Sequence, residues 1–216
     1  MNWVTTSISC GSGSFTCATA KVASWSAPSA PRNCCWPSRT LCANHCSGAS
    51  MLKSVANALL FQVGWFACVL GGNSYWLLIA VAVLVIHIFW ISSWAAEGRL
   101  VITVTLFGVL LDSVLMTLGV FDFGISGYVL PLWLALLWAV MATTLNHCLS
   151  WTARPLWRAA VLGAIGGPMS YYAGSQLAQV HLPLGMWPSM LLLGLVWAGV
   201  FPLLQWLAGR TTRPSA

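Results

Sequence analysis

Acidic residues are nearly missing from this sequence. Three occur in 216 residues: Glu97, Asp112 and Asp122. All charged residues together make up 6% of the chain, while 59% is hydrophobic. Soluble domains carry roughly 25% charged residues, so an ordinary soluble globule is excluded. The net charge of +6 is not a nucleic-acid signal. Its Lys and Arg residues are spread near the ends of apolar runs and form no basic face, so no nucleic-acid partner is expected. With so few carboxylates there is no paired set for general acid–base work. H-E-x-x-H, G-x-S-x-G, Walker A and dinucleotide motifs are also missing. His87, His147 and Asp112 are few and dispersed, so neither a metal site nor a cofactor is expected.

Residues 1–50 differ in kind from the rest. They are rich in Ser, Thr, Ala and Cys, contain no acidic residue, and show neither helical nor strand periodicity. Six of the eight cysteines lie here: Cys10, Cys17, Cys34, Cys35, Cys42 and Cys46. A metal site built from Cys42, His45 and Cys46 with Cys34 or Cys35 lacks the paired C-x-x-C spacing. A disulfide framework conflicts with a cytoplasmic N-terminus. The expectation is a disordered segment, or a start site placed too early, because Met51 opens MLKSVANALLF as a first membrane helix would. Residues 51–210 then form the membrane domain and 211–216 a short tail.

What is present in abundance is apolar sequence in long runs. Leu100–Val120 reads LVITVTLFGVLLDSVLMTLGV, with Asp112 as its one charge. About 20 helical residues cross a ~30 Å hydrocarbon core. Six such spans are predicted: 54–70, 76–95, 100–120, 131–151, 158–178 and 187–208. Pro131 sits near the start of the fourth, and Pro202 kinks the sixth. This is an all-α polytopic bundle. Its loops alternate so that Lys53, Arg99, Arg154, Arg158, Arg210 and Arg213 fall on one side, and the other side's loops hold no Lys or Arg. The positive-inside rule then places both termini in the cytoplasm. Trp and Tyr near the predicted span ends form the matching interfacial belt.

Polar residues at membrane depth are the candidate site. A carboxylate inside a span is costly and faces protein, water or a function. Thr105, Gly108, Asp112 and Gly119 share one face, which turns Asp112 into the bundle. His87 is predicted near mid-membrane on an antiparallel neighbour, where it and Asp112 meet directly or through water and share a proton. Tyr171 and Tyr172 lie at about the depth of Asp112, with Ser170 beside them. Thr143, Asn146, His147, Asn57 and Gln62 form a second polar cluster in the inner half. The fifth span carries small-residue stripes, Gly163 with Gly167, and Gly166 with Ser170 and Gly174. Such stripes let another helix backbone come close. Cys68 and Cys148 read as small apolar fillers. The first three spans do not repeat in the last three, which removes support for an inverted-repeat transporter.

From Met51 to Arg210 the chain resembles a known family. The matching pieces are Asn57 with QVGWF at 62–66, LLD at 110–112, TLNH at 144–147 and GPMSYYAG at 167–174. The family consists of small bacterial inner-membrane proteins of unknown function. The resemblance implies an all-helical fold and a bacterial inner membrane, and it brings no activity, substrate or catalytic residue.

Three function classes are carried forward. The first binds or transports a small or lipidic molecule at a polar intramembrane site lined by Asp112, His87 and Tyr171. The second is a non-catalytic subunit that docks a membrane partner through the Gly-rich fifth span. The third, a lipid-modifying enzyme, is the weakest because no catalytic constellation is visible.

Overall fold

The computed structural model describes residues 5–10, 13–18, 39–124, 130–178 and 180–211. The chain divides into two compact units, Met1–Leu52 and Lys53–Ala216. In the first unit, β1 (Thr5–Cys10) pairs antiparallel with β2 (Gly13–Ala18), with Ile8 opposite Phe15. Sequence periodicity predicted no strand there. Thr, Ile and Phe favour extended backbone, and six residues are too few for that preference to stand out as a pattern. Helix α1 spans Arg39–Gly71. Cys34 and Cys35, needed for the cysteine metal reading, lie outside the described residues.

The membrane domain is helical. After α1 come α2 (Leu77–Ile86), a π-helical turn (His87–Ile91), α3 (Trp94–Thr117), α4 (Leu132–Ala142), α5 (Trp157–Leu177) and α6 (Met186–Thr211). Among the described residues, three segments are long and apolar enough to cross a bilayer: Met51–Gly71, Trp94–Thr117 and Met186–Thr211. Many of their leucines point outward, while Leu100, Leu115, Leu193 and Leu204 are buried. Leu59, Leu106, Leu110 and Leu195 are 64%, 65%, 66% and 75% exposed. Soluble monomers rarely expose contiguous apolar surface on that scale, so lipid is the natural covering.

Two breaks differ from the predicted spans, and both position the site. The second span was predicted to run to Ala95. It ends at Ser92 instead, after the π turn, and Ser93 caps α3 by accepting from Ala96 N–H at 3.3 Å. A serine side chain satisfies one of the donors left free at a helix start, so the SS doublet stops one helix and begins the next. Glu97, expected in a loop, is therefore in the first turn of α3 and 5% exposed.

The fourth span was predicted as one helix to Trp151. Helix α4 stops at Ala142, and a run of turns follows to a short 3-10 turn at Ser150–Thr152. Thr143 and Thr144 hydroxyls bond back to the carbonyls of Val140 and Met141 at 2.7 and 2.6 Å, which competes with helix continuation. Asn57 of α1 stitches the break. Its Nδ2 donates to Thr143 C=O at 3.2 Å, and its Oδ1 accepts from Cys148 N–H at 3.4 Å. Irregular backbone at membrane depth needs such internal partners.

Gly119 was predicted to extend the Asp112 face. It terminates α3 instead, with φ +72° and Val120 N–H donating to Leu115 C=O at 3.0 Å. That is the glycine-dependent helix ending. Helices α5 and α6 pack closely because Gly163 and Gly167 lie against Trp197. A Cβ at Gly163 would sit 2.2 Å from the Trp197 carbonyl oxygen.

Candidate functional site

The predicted polar residues separate into two clusters and a cavity. His87 and Asp112 do not pair. Length along α3 explains this: Glu97 and Asp112 are about 22 Å apart at 1.5 Å per residue, and His87 binds Glu97. The second helical run ends early, so His87 opens its last, π-helical turn.

In the first cluster, Glu97 accepts from two imidazoles. His87 Nε2 is 2.8 Å from Oε2, and His147 Nε2 is 2.9 Å from Oε1. Asn146 Nδ2 donates to Oε1 at 3.4 Å. Asn57 Nδ2 reaches His87 Nδ1 at 3.2 Å. Three irregularities of the backbone assemble this group. The π turn presents His87, the Ser93 cap places Glu97, and the broken end of α4 presents Asn146 and His147. π-Helical turns recur at functional sites because they redirect a side chain without ending the chain's hydrogen bonding. The positive N-terminus of α3 adds to the stabilisation of a carboxylate in its first turn. Asn57 and His87 are 0% and 1% exposed, whereas the His147 side chain is 19% exposed. The cluster is thus closed on the α1 side and partly exposed at His147. Two imidazoles read as dispersed in sequence are brought onto one carboxylate.

Glu97 is the residue that sequence reasoning missed. Its position between two predicted spans read as a loop charge. The available signal was Ser93 followed by Trp94, Ala95, Ala96 and Glu97, a cap with an acidic first turn.

The second cluster is built on Asp112, which is fully buried. Trp138 Nε1 donates to Oδ2 at 2.6 Å, and Tyr171 hydroxyl donates to Oδ1 at 2.5 Å. Of the two tyrosines expected at the depth of Asp112, Tyr171 is the one that bonds it. Trp138 lies over Gly108, where a Cβ would come within 1.9 Å of the indole, and stacks on Trp197 at 5.2 Å and 12°. Gly108 and Asp112 are four apart on α3, so one side chain covers the glycine and bonds the carboxylate. Tyr172, by contrast, is 45% exposed and joins neither cluster.

Beside this second cluster is a cavity of about 480 Å³ between α1, α4, α5 and α6. Phe61, Gln62 and Trp65 of α1 face Gly166, Ser170 and Tyr171 of α5 across it. Trp65 Nε1 donates to Ser170 Oγ at 3.0 Å. No Lys, Arg, Asp, Glu or His lines it among the described residues. The two small-residue stripes of α5 therefore have different uses. Gly163 and Gly167 are filled by α6, while a Cβ at Gly166 or Gly174 meets nothing within 4 Å.

Comparison with known proteins adds a family and no activity. No curated protein and no solved structure matches the chain. A family model described as "Protein of unknown function (DUF2878)" matches residues 54–203, which cover both clusters and all of the described cavity lining. The chain therefore belongs to this DUF2878 family, as the motifs at Asn57, Asp112, His147 and Tyr171 suggested.

Proposed function

We propose that this chain is a multi-pass protein of the bacterial inner membrane that binds a small, uncharged, lipidic molecule in the cavity between α1 and α5. The single observation that carries the reading is the cavity's lining: about 480 Å³, largely apolar, with no ionisable side chain among the described residues except Tyr171, whose hydroxyl is engaged by Asp112. Ligand sites are concave and mostly apolar, with a few placed polar groups. Gln62 and Ser170 are those groups here. A charged headgroup finds no counter-charge in this lining, so the occupant is neutral. Asp112 and His87, first considered as lining residues, act behind the wall or away from it.

The membrane arrangement belongs to the same proposal. Six spans with both termini in the cytoplasm put Lys53, Arg99, Arg154, Arg158, Arg210 and Arg213 on one side. That asymmetry supports the orientation. A reporter fused after Arg213 that is active only outside the cytoplasm overturns it. Docking of a partner through α5 is the less supported reading, because α6 already occupies the Gly163–Gly167 stripe.

The cavity is tested by native mass spectrometry of the purified chain in mild detergent, wild type beside Gly166→Leu. The leucine side chain enters open space at a position where a Cβ meets nothing. Wild type is expected to carry about one neutral lipidic adduct, and the folded variant to lose it. A wild-type chain that carries no such adduct, or a variant that keeps it, refutes the reading.

A further inference from the structure

We infer that His87, Glu97 and His147 bind a divalent first-row transition-metal ion. Nothing in the sequence pattern suggests this site, and it is independent of the cavity. The three residues offer one ligand atom each, and those atoms all lie within 4.8 Å of one another. Both Nε2 atoms already address the same carboxylate, one on each oxygen, at 2.8 and 2.9 Å. The rings meet edge to face, with centroids 5.0 Å apart and planes at 78°, so neither ring blocks the space that the two nitrogens and Glu97 share. Metal–nitrogen and metal–oxygen bonds of about 2.1 Å place neighbouring ligand atoms about 3.0–3.4 Å apart. Side-chain shifts of about an ångström convert the present spacing into that one.

The chemistry of the donors selects the class of ion. Two imidazoles and one carboxylate suit zinc, iron(II), cobalt(II) or manganese(II), and no thiolate of the cluster draws it toward copper(I). Three protein ligands leave at least one coordination position open, the pattern of a reactive rather than a purely structural site. His147 is the partly exposed member, the side from which a small molecule would approach. Asn146 Nδ2, 3.4 Å from Glu97 Oε1, is placed to hydrogen-bond whatever occupies the open position.

Asn57 is the positioning residue. Its Nδ2 now donates to Thr143 C=O and to His87 Nδ1, so the imidazole hydrogen resides on Nε2 and points at Glu97. An ion takes the place of that hydrogen. The proton moves to Nδ1 and the ring stays neutral. Asn57 then turns its Oδ1 to accept from Nδ1–H and gives up both Thr143 C=O and Cys148 N–H. His147 makes the same exchange with solvent at its Nδ1. Glu97 remains a carboxylate throughout. Such partners behind a ligating imidazole typically change metal affinity 10–100-fold.

The test uses the full chain without a histidine tag, purified in mild detergent free of chelator. Zn²⁺, Fe²⁺ (anaerobic) or Co²⁺ is added alone, excess ion is removed, and metal is counted by elemental mass spectrometry. About one ion per chain is expected for at least one of the three. The Co²⁺ form is expected to show visible bands without a thiolate charge-transfer band. His147→Ala, at the most exposed ligand, is expected to weaken binding at least ten-fold. Three outcomes overturn the site: folded wild type retaining fewer than about one ion per ten chains, His147→Ala retaining as much metal as wild type, or a thiolate band showing that the N-terminal cysteines hold the ion. Should His147→Ala fail to fold, the wild-type stoichiometry and the cobalt spectrum decide alone.

Discussion

Replacing Gly163 by Ala and Gly166 by Ala separates the two faces of α5. Both changes add one methyl group three residues apart in the same helix. Each carries the same intrinsic gain in helix propensity, up to about 1 kcal/mol over glycine. The difference between the two variants therefore reports the surroundings alone. At Gly163 the new Cβ falls 2.2 Å from the Trp197 carbonyl oxygen, 0.8 Å short of the 3.0 Å that real contacts respect. It also lies 2.8 Å from Phe201 Cβ. The obstacle at the carbonyl is backbone, so no rotamer change relieves it. Helices α5 and α6 have to separate, which opens the stack of Trp197 on Trp138. Overpacking of this kind costs about 1–3 kcal/mol. At Gly166 the Cβ meets nothing within 4 Å, and the propensity gain stands unopposed. Gly163→Ala is thus expected to be about 1–3 kcal/mol less stable than Gly166→Ala. Unfolding by sodium dodecyl sulfate in mixed micelles, followed by far-UV circular dichroism, measures the difference. Equal stabilities, or a more stable Gly163→Ala, refute the account of α5–α6 packing and with it the assignment of the two stripes.

Other changes probe the polar clusters. Tyr171→Phe removes only the hydroxyl that donates to buried Asp112, with an expected cost of about 1.5–3 kcal/mol in the same unfolding assay. In combination with Asp112→Asn the costs are expected to be less than additive, because the two groups share one bond. Asn57→Ala deletes the side chain that bonds Thr143 C=O and Cys148 N–H, and hydrogen exchange at the Cys148 amide is expected to quicken by at least ten-fold. Unchanged exchange there means that Asn57 does not hold the broken end of α4. Gly119→Ala forces a side chain into φ +72° at the end of α3 and is expected to lower stability by about 1 kcal/mol.

Apolar run length and charge scarcity determined the class of this protein from sequence alone. A chain with so little charge and segments such as Leu100–Val120 has to place its side chains against lipid, whatever its partners. Burial of Asp112 was legible for a related reason. A lone carboxylate on the same helical face as Gly108 has only one direction in which it escapes lipid. Counting helical rise placed Tyr171 and Tyr172 at its depth, because two uninterrupted helices keep their registers, and left open which of them bonds it. The family motifs likewise read through to the match over residues 54–203.

Only the tertiary structure decided where the helices break, and the breaks build the site. The hydropathy of HIFWISSW or of TTLNHCLSW is almost the same whether the backbone continues or turns. The outcome depends on which partners satisfy the freed carbonyls and N–H groups. Asn57, 86 and 91 residues away in sequence, supplies those partners for Thr143 and Cys148. Ser93 supplies one for the start of α3. Once those bonds are made, Glu97 enters the protein interior and both imidazoles reach it. No local pattern encodes that convergence, because it is the sum of three backbone interruptions meeting in space. The division of the α5 glycines between α6 and the cavity has the same origin. Spacing of four residues marks a close approach, but the position of Trp197 determines which stripe is filled and which stays open.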